Sequence, residues 1–271
     1  MNAVDPIALQ VTVGALRAAC LQMGAVLVRA AHSANIKERH DCSTALFDAS
    51  GQMVMQAEHI PVHLGAMPAS VAAVLDREHA PGRSWILNDP FAGGTHLPDI
   101  TVVTPVFAGG DHDRGELLGF AATRAHHADV GARVPGSMPA DSTTLSEEGV
   151  VIPPSELTAG LIDELVDRMR QPDQRRADLA AQVAANRTGA LRLQELAAGV
   201  TARDNGGLRV ITDAVQDYAE RRTRACLAGL PDGVRHGTDV LEARTGEDLT
   251  LRLAATVHGC LLYTSPSPRD S

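Results

Sequence analysis

Asn88-Asp89-Pro90-Phe91-Ala92-Gly93-Gly94-Thr95-His96-Leu97-Pro98-Asp99 runs straight into Ile100-Thr101-Val102-Val103-Thr104-Pro105-Val106-Phe107. The first stretch is built of turn formers, and Gly93-Gly94 and Pro98 disfavour a helix. The second is a near-continuous apolar run, the pattern of a strand covered on both faces. Ala108 to Gly115 is polar and Gly-rich and reads as a turn, with Leu117 to Thr123 as the returning strand. Antiparallel pairing through that turn brings the start of the first strand beside the end of the second. Asp99 is thereby predicted to neighbour His126.

Working outward, Asp5-Pro6 is a helix start, and Leu9, Val13, Leu16, Cys20, Met23 and Val26 recur at three- and four-residue spacing. They predict one long amphipathic helix to about Ala31. Ser43–Phe47 and Gln52–Gln56 read as a hairpin across Asp48-Ala49-Ser50-Gly51. Pro68–His79 reads as a short helix and Trp85–Leu87 as a buried strand. Residues 129–154 are rich in Gly, Pro, Ser and Thr and read as a long functional loop. Helices are predicted over 155–170, 173–198 and 207–228, and strand-like alternation over 239–257.

The predicted fold class is α+β: a mixed-sheet region to residue 154 opened by a long helix, then a helical region over 155–258 that returns to strands. Both belong to one domain. The tail 259–271, Gly-Cys-Leu-Leu-Tyr-Thr-Ser-Pro-Ser-Pro-Arg-Asp-Ser, abandons the strand pattern and reads as non-native appended sequence.

A formal charge of -9 with scattered basic residues argues against a nucleic-acid surface. Aromatics at 3% argue against base stacking. No apolar run of about 18 residues is evident, so no membrane span is expected. The start lacks a basic and then apolar leader, and Cys20, Cys42, Cys226 and Cys260 form no CxxC pair. A reduced, cytoplasmic protein is the expectation.

His96 and Asp99 on the loop, with His126 brought alongside, make a nitrogen–oxygen donor set, and Asp41 between the first helix and the first strand adds a carboxylate. Such a set suits Zn, Mn or Fe(II) and is poor for Cu(I). Adjacent strand residues face opposite ways, so only one of His126 and His127 is expected to ligate, the other facing elsewhere. Both patterns also occur as plain hydrogen-bonded loop and strand-end residues. His63, in Ile60-Pro61-Val62-His63-Leu64-Gly65, has apolar neighbours and reads as a core histidine. Neither a Walker A sequence nor a Gly-x-Ser-x-Gly elbow is found.

Seven segments, in this order, resemble the hydantoinase B / 5-oxoprolinase family: Ser33–Arg39, Ala57–Gly65, Asn88–Asp99, Arg124–Gly131, Glu148–Pro154, Ala181–Arg187 and Leu230–Gly233. The resemblance covers essentially all of residues 1–258. It implies the B part of an ATP-dependent amidohydrolase, opening hydantoin- or 5-oxoproline-like cyclic amides after a partner A-type subunit has used ATP to activate them. It implies a divalent metal held by Asp41, His96, Asp99 and His126, with His127 the alternate. Gly131-Ala132 stands where the family has Gly-Gly, and family subunits are substantially longer. His127 as a proton shuttle, and Arg39 or Arg124 steadying a phosphorylated intermediate, are roles assigned from residue chemistry and location. The competing readings are an acetone-carboxylase-like subunit and a non-catalytic assembly module.

Overall fold

The computed structural model describes residues 5–109, 115–201, 207–242 and 246–264. Two compact units divide between Thr212 and Asp213. Residue 154 lies within the first unit.

The first unit opens with α1 (Pro6–Ala30) and α2 (Ala34–Lys37). The hairpin β1 (Cys42–Asp48) and β2 (Met53–Glu58) follows, then a 3₁₀ turn at Pro61–His63 and α3 (Met67–Leu75). Next come β3 (Trp85–Leu87), β4 (Asp99–Phe107), β5 (Leu117–His126), β6 (Ser155–Glu156), α4 (Ala159–Asp167) and α5 (Pro172–Thr201). The strands form one sheet ordered β2-β1-β5-β4-β3-β6. The architecture is α+β as the pattern predicts, but each pairing in the sheet is antiparallel, where a mixed sheet was expected. The turn joining β4 to β5 lies largely in residues 110–114, outside the described residues.

Strand parity assigns the faces. Ala45, Phe47, Val103, Phe120 and Ala122 pack under Met67, Val71 and Val74 of α3. On the opposite face α5 lies along β4 and β5 and packs against α1. α1 is long and apolar enough, by length and composition, to cross a membrane, contrary to the expectation from the sequence. Here its face of Leu16, Cys20, Met23 and Leu27 is fully buried, and the helix packs on α5, β1 and β2, as a core helix does.

The helix predicted over 155–170 begins later. Pro153-Pro154 hold the chain extended, and Ser155 and Glu156 pair with Ile86 and Trp85 as β6. Thr158 then caps α4, its side chain accepting from Leu161 N at 3.2 Å. The loop 129–154 is pinned by Asp129, whose carboxylate accepts from Gly131 N, Gly136 N and Arg170 Nη1. Gly131 takes φ +84°, and a Cβ there would lie 2.3 Å from Arg168 O. Ala132 needs no positive φ, so glycine is kept at the one position of the pair that requires it.

α6 (Gly207–Ala228) spans the division between the units. The second unit adds β7 (Gly233–Leu241), β8 (Leu249–His258) and β9 (Leu261–Thr264), paired antiparallel in that order. The tail therefore begins as a strand hydrogen-bonded to β8, rather than leaving the pattern at Gly259. Residues 265–271 lie outside the described residues.

Candidate metal centre

Five side chains from five places converge where β4 begins and β5 ends. Asp99 opens β4, and its Cα partner across the ladder is His126, the last residue of β5. Asp41 immediately precedes β1, and its carbonyl accepts from His126 N at 3.0 Å, carrying the β1–β5 ladder one step further. His63 closes the 3₁₀ turn. His96 sits in the loop before β4, its ring 5.3 Å from that of His126.

Asn88 holds the loop that carries His96. Fully buried, it donates from Nδ2 to Leu97 O (2.8 Å) and Val150 O (2.9 Å), and its Oδ1 accepts from Ile152 N (2.6 Å). One amide side chain thus binds the loop to the segment leading into β6, satisfying three backbone groups at once.

Asp99 Oδ1 accepts from His126 Nδ1 at 2.8 Å, and Oδ2 lies 3.8 Å from His63 Nε2. Asp41 repeats the arrangement: Oδ2 is 3.8 Å from His126 Nδ1 and Oδ1 is 3.7 Å from His63 Nε2. Thr95 Oγ1 also donates to Asp99 Oδ2. Burial opposes ionisation of Asp99, but His126 and His63 outweigh it and hold the carboxyl well below the usual carboxylate range. Burial pushes His96 below the ordinary imidazole value, which favours the neutral ring that a metal ligand must be.

His63 was read from sequence as a core histidine, and it is buried, with 1% of its side chain exposed. Its apolar neighbours Val62 and Leu64 are the exposed ones. Its Nδ1 lies 3.0 Å from Ser43 Oγ, while Nε2 has no hydrogen-bond partner and points between the two carboxylates. The available signal was punctuation: Pro61 and Gly65 flank this histidine much as Gly94 and Pro98 flank His96.

The structure does not bring His127 to this cluster. Strand parity turns it to the α5 face, where it is fully buried with Nε2 2.9 Å from Gln182 Oε1. Burial pushes it below the ordinary histidine value. Arg39 is exposed at the end of α2, and no contact joins it to the cluster among the described residues. Arg124 is on the cluster's face of β5 but fully buried. It donates from Nε to Thr101 Oγ1 (2.9 Å) and from Nη2 to Ser70 Oγ (2.7 Å), while Nη1 has no partner.

Two overlapping sets, His96–Asp99–His126 and Asp41–His63–Asp99, each present donor atoms within 4.8 Å of one another. The hydantoinase B/oxoprolinase family model matches residues 5–262. The chain belongs to the hydantoinase B/oxoprolinase family. It is 43% identical over 206 residues to the 5-oxoprolinase of Saccharomyces cerevisiae, covering 69% of this chain and 16% of that protein. It is 35% identical over 254 residues to the caprolactamase subunit beta of Pseudomonas jessenii, covering 89% of this chain and 42% of that subunit. The crystal structure of the ATP-dependent caprolactamase from that organism superposes with a TM-score of 0.84 at 32% identity, over 97% of this chain and 46% of that one. A nucleotide-free acetone carboxylase shares the fold, with a TM-score of 0.76 at 18% identity over 94% of this chain and 36% of that one. This family member thus spans less than half the length of these relatives.

The cluster's chemistry fits a divalent cation. Two carboxylates and three imidazoles form a hard-to-borderline donor set. His63 Nε2 and Asp41 Oδ1 are buried polar atoms with no hydrogen-bond partner, which is costly unless something else satisfies them.

Proposed function

We propose that this chain is the metal-bearing part of the B component of an ATP-dependent amidohydrolase that opens cyclic amides, working with an ATP-binding A-type partner that activates the substrate. The observation that carries the proposal is the convergence of Asp41, His63, His96, Asp99 and His126, in a chain 35% identical to a caprolactamase subunit along most of its length. A bound divalent cation would supply Lewis acidity and a water of lowered pKa. Asp41 and Asp99 would hold it as anions, and His96 and His126 as neutral rings. The ring of His63 would back the two carboxylates from below, and the pinned loop 129–154 would bound the substrate's approach. Arg124, fully buried on the same face of β5, would set a fixed positive charge near Asp99. His127, packed on α5, is proposed to position the end of β5 rather than shuttle protons, and Arg39 is given no role. A cytoplasmic location, with ATP at hand, goes with this reading.

The assembly-module reading requires these carboxylates to be occupied by backbone amides. Among the described residues none donates to Asp41 or Asp99, whose oxygens face imidazoles instead. The likeness to an acetone carboxylase, at 18% identity, carries the fold alone.

The test is to express the chain with its partner subunit and supply ATP with caprolactam, 5-oxoproline or a hydantoin. ADP release coupled to ring opening is expected, with bound metal and turnover both lost in Asp99→Ala. Metal retained at full content in that variant would sink the ligand assignment, and bicarbonate-dependent carboxylation would replace the hydrolase reading.

A further inference from the structure

We propose that His79 and Trp85 form a proton-operated clasp, which ties the end of α3 to β3 and opens when His79 takes up a proton. Neither residue belongs to the metal cluster, and the clasp stands or falls independently of the function proposed above.

The argument is in how the two ring nitrogens of His79 are committed. Trp85 Nε1 donates to His79 Nδ1 at 3.1 Å, and an indole N–H can only donate, so Nδ1 carries the lone pair. His79 Nε2 lies 3.2 Å from Leu75 O, which can only accept, so Nε2 carries the proton. The two contacts together fix one neutral tautomer. A second proton must land on Nδ1, where it meets the indole N–H head on. The protonated ring can keep Leu75 but has to give up Trp85.

Two aromatic rings pack edge-on against the imidazole. Phe120 of β5 has its centroid 5.0 Å away at 73°, and Trp85 has its centroid 6.1 Å away at 90°. Neither carries a charge that would welcome an imidazolium. The charged groups nearby are Asp76, Arg77 and Glu78, exposed on the same segment, and the Arg83–Glu156 ion pair where β3 meets β6. Arg77 already lies over the indole, 5.9 Å from its centroid. A protonated His79 would be a second cation beside the same ring. Burial holds His79 below the ordinary imidazole value, with the Leu75 carbonyl opposing. The clasp is therefore closed at neutral pH and opens as pH falls below about 6.5.

α3 and β3 together grip the loop that follows β3. Leu87 leads directly into Asn88, and Ser70 Oγ of α3 donates to Gly93 O at 2.6 Å. His79 follows the C-terminal end of α3 and Trp85 opens β3, so the clasp joins the far ends of both gripping elements. Opening it loosens the hold on residues 88–94 and makes that loop sensitive to mild acid.

Trp85 is the chain's one tryptophan, so its fluorescence reads the clasp directly. The full chain is titrated from about pH 8 to pH 5, with circular dichroism confirming that it stays folded. Emission should change in a one-proton step below the ordinary imidazole value. Imidazole ¹⁵N resonances should show the Nε2–H tautomer above the step and protonation of Nδ1 along the same curve. His79→Gln, which keeps an acceptor oxygen but cannot titrate, should give flat emission over the same range. Amide hydrogen exchange at 88–94, corrected for its intrinsic pH dependence, should speed up severalfold across the step in the unaltered chain and not in His79→Gln. Flat emission in the unaltered chain, a step that survives in His79→Gln, or an Nδ1–H tautomer at neutral pH overturns the clasp. Exchange at 88–94 that ignores the step overturns its hold on the loop. Should His79→Gln fail to fold, the nitrogen resonances and emission of the unaltered chain decide.

Discussion

His63 and Asn88 show what single residues contribute. Each is buried and polar, and each is held by partners far away in sequence: Ser43 for one, and Leu97, Val150 and Ile152 for the other. Asn88→Ala leaves two carbonyls and one amide unsatisfied in the interior, at about 1–3 kcal/mol each before relaxation. We expect a loss of about 2–4 kcal/mol in urea unfolding, with weaker metal binding because the His96 loop is freed. Asp178 is a sterner case. Its carboxylate accepts from His32 N, Ser33 N, Ser33 Oγ and Arg175, and Ser33 Oγ in turn accepts from Ala128 N, two residues past His126. Asp178→Ala strands a fully buried Arg175 and should cost about 3–5 kcal/mol. A loss under about 1 kcal/mol would show that this buried pair holds nothing. Neither His63 nor Asp178 was legible as special, because their partners lie some 20 and 145 positions away.

At the scale of elements, α5 departs furthest from a simple pattern. A helix facing a sheet is expected to bury an apolar stripe. The buried face of α5 instead includes Asp178, Gln182 and Asn186, and the latter two donate to Ile100 O and Val102 O of β4 at 2.9 Å. α1, α5 and β5 come so close at Gly189 that a Cβ there would meet Met23 Sδ at 2.5 Å and Ala121 Cβ at 3.2 Å. Gly189→Ala would gain about 1 kcal/mol of helix propensity and lose about 1–3 kcal/mol to overpacking. The loss should win, lowering the melting temperature by a few degrees; an unchanged or raised value would mean that the helices can part without cost. The strands were more legible. β3, β4 and β5 stand near their predicted positions because a doubly covered strand reads as an apolar run. β6 did not, since two residues completing a sheet edge carry no periodicity.

For the whole molecule, acid and metal report on the same groups. His96 and His127 are pushed below the ordinary imidazole value, so the unfolded chain takes up their protons first. Stability from these two is present above about pH 6.5 and is lost as pH falls below it. Asp99 and Asp178 are held below the carboxylate range, so their contribution is present above about pH 4 and is lost further into acid. Urea unfolding of the chelated protein should show both phases, and His127→Gln should shrink the first. A single loss confined below pH 4 would contradict the buried, neutral histidines. A cation at a hundred times its dissociation constant should add about 2.7 kcal/mol, worth several degrees in melting temperature, with no gain in Asp99→Ala.

What is local or periodic could be read from the residues: the long first helix, the hairpin, the β4–β5 ribbon, and with it the meeting of Asp99 and His126. That much follows because a tight antiparallel return fixes register, and register fixes neighbours. Asp41 could be placed near that ribbon only as a residue arriving from a separate element. That His63 faces both carboxylates while His127 faces α5 emerged only from the packed fold. Burial looks alike in composition whichever side of a sheet a residue takes, and the side is set by strand parity and by which helix covers that face.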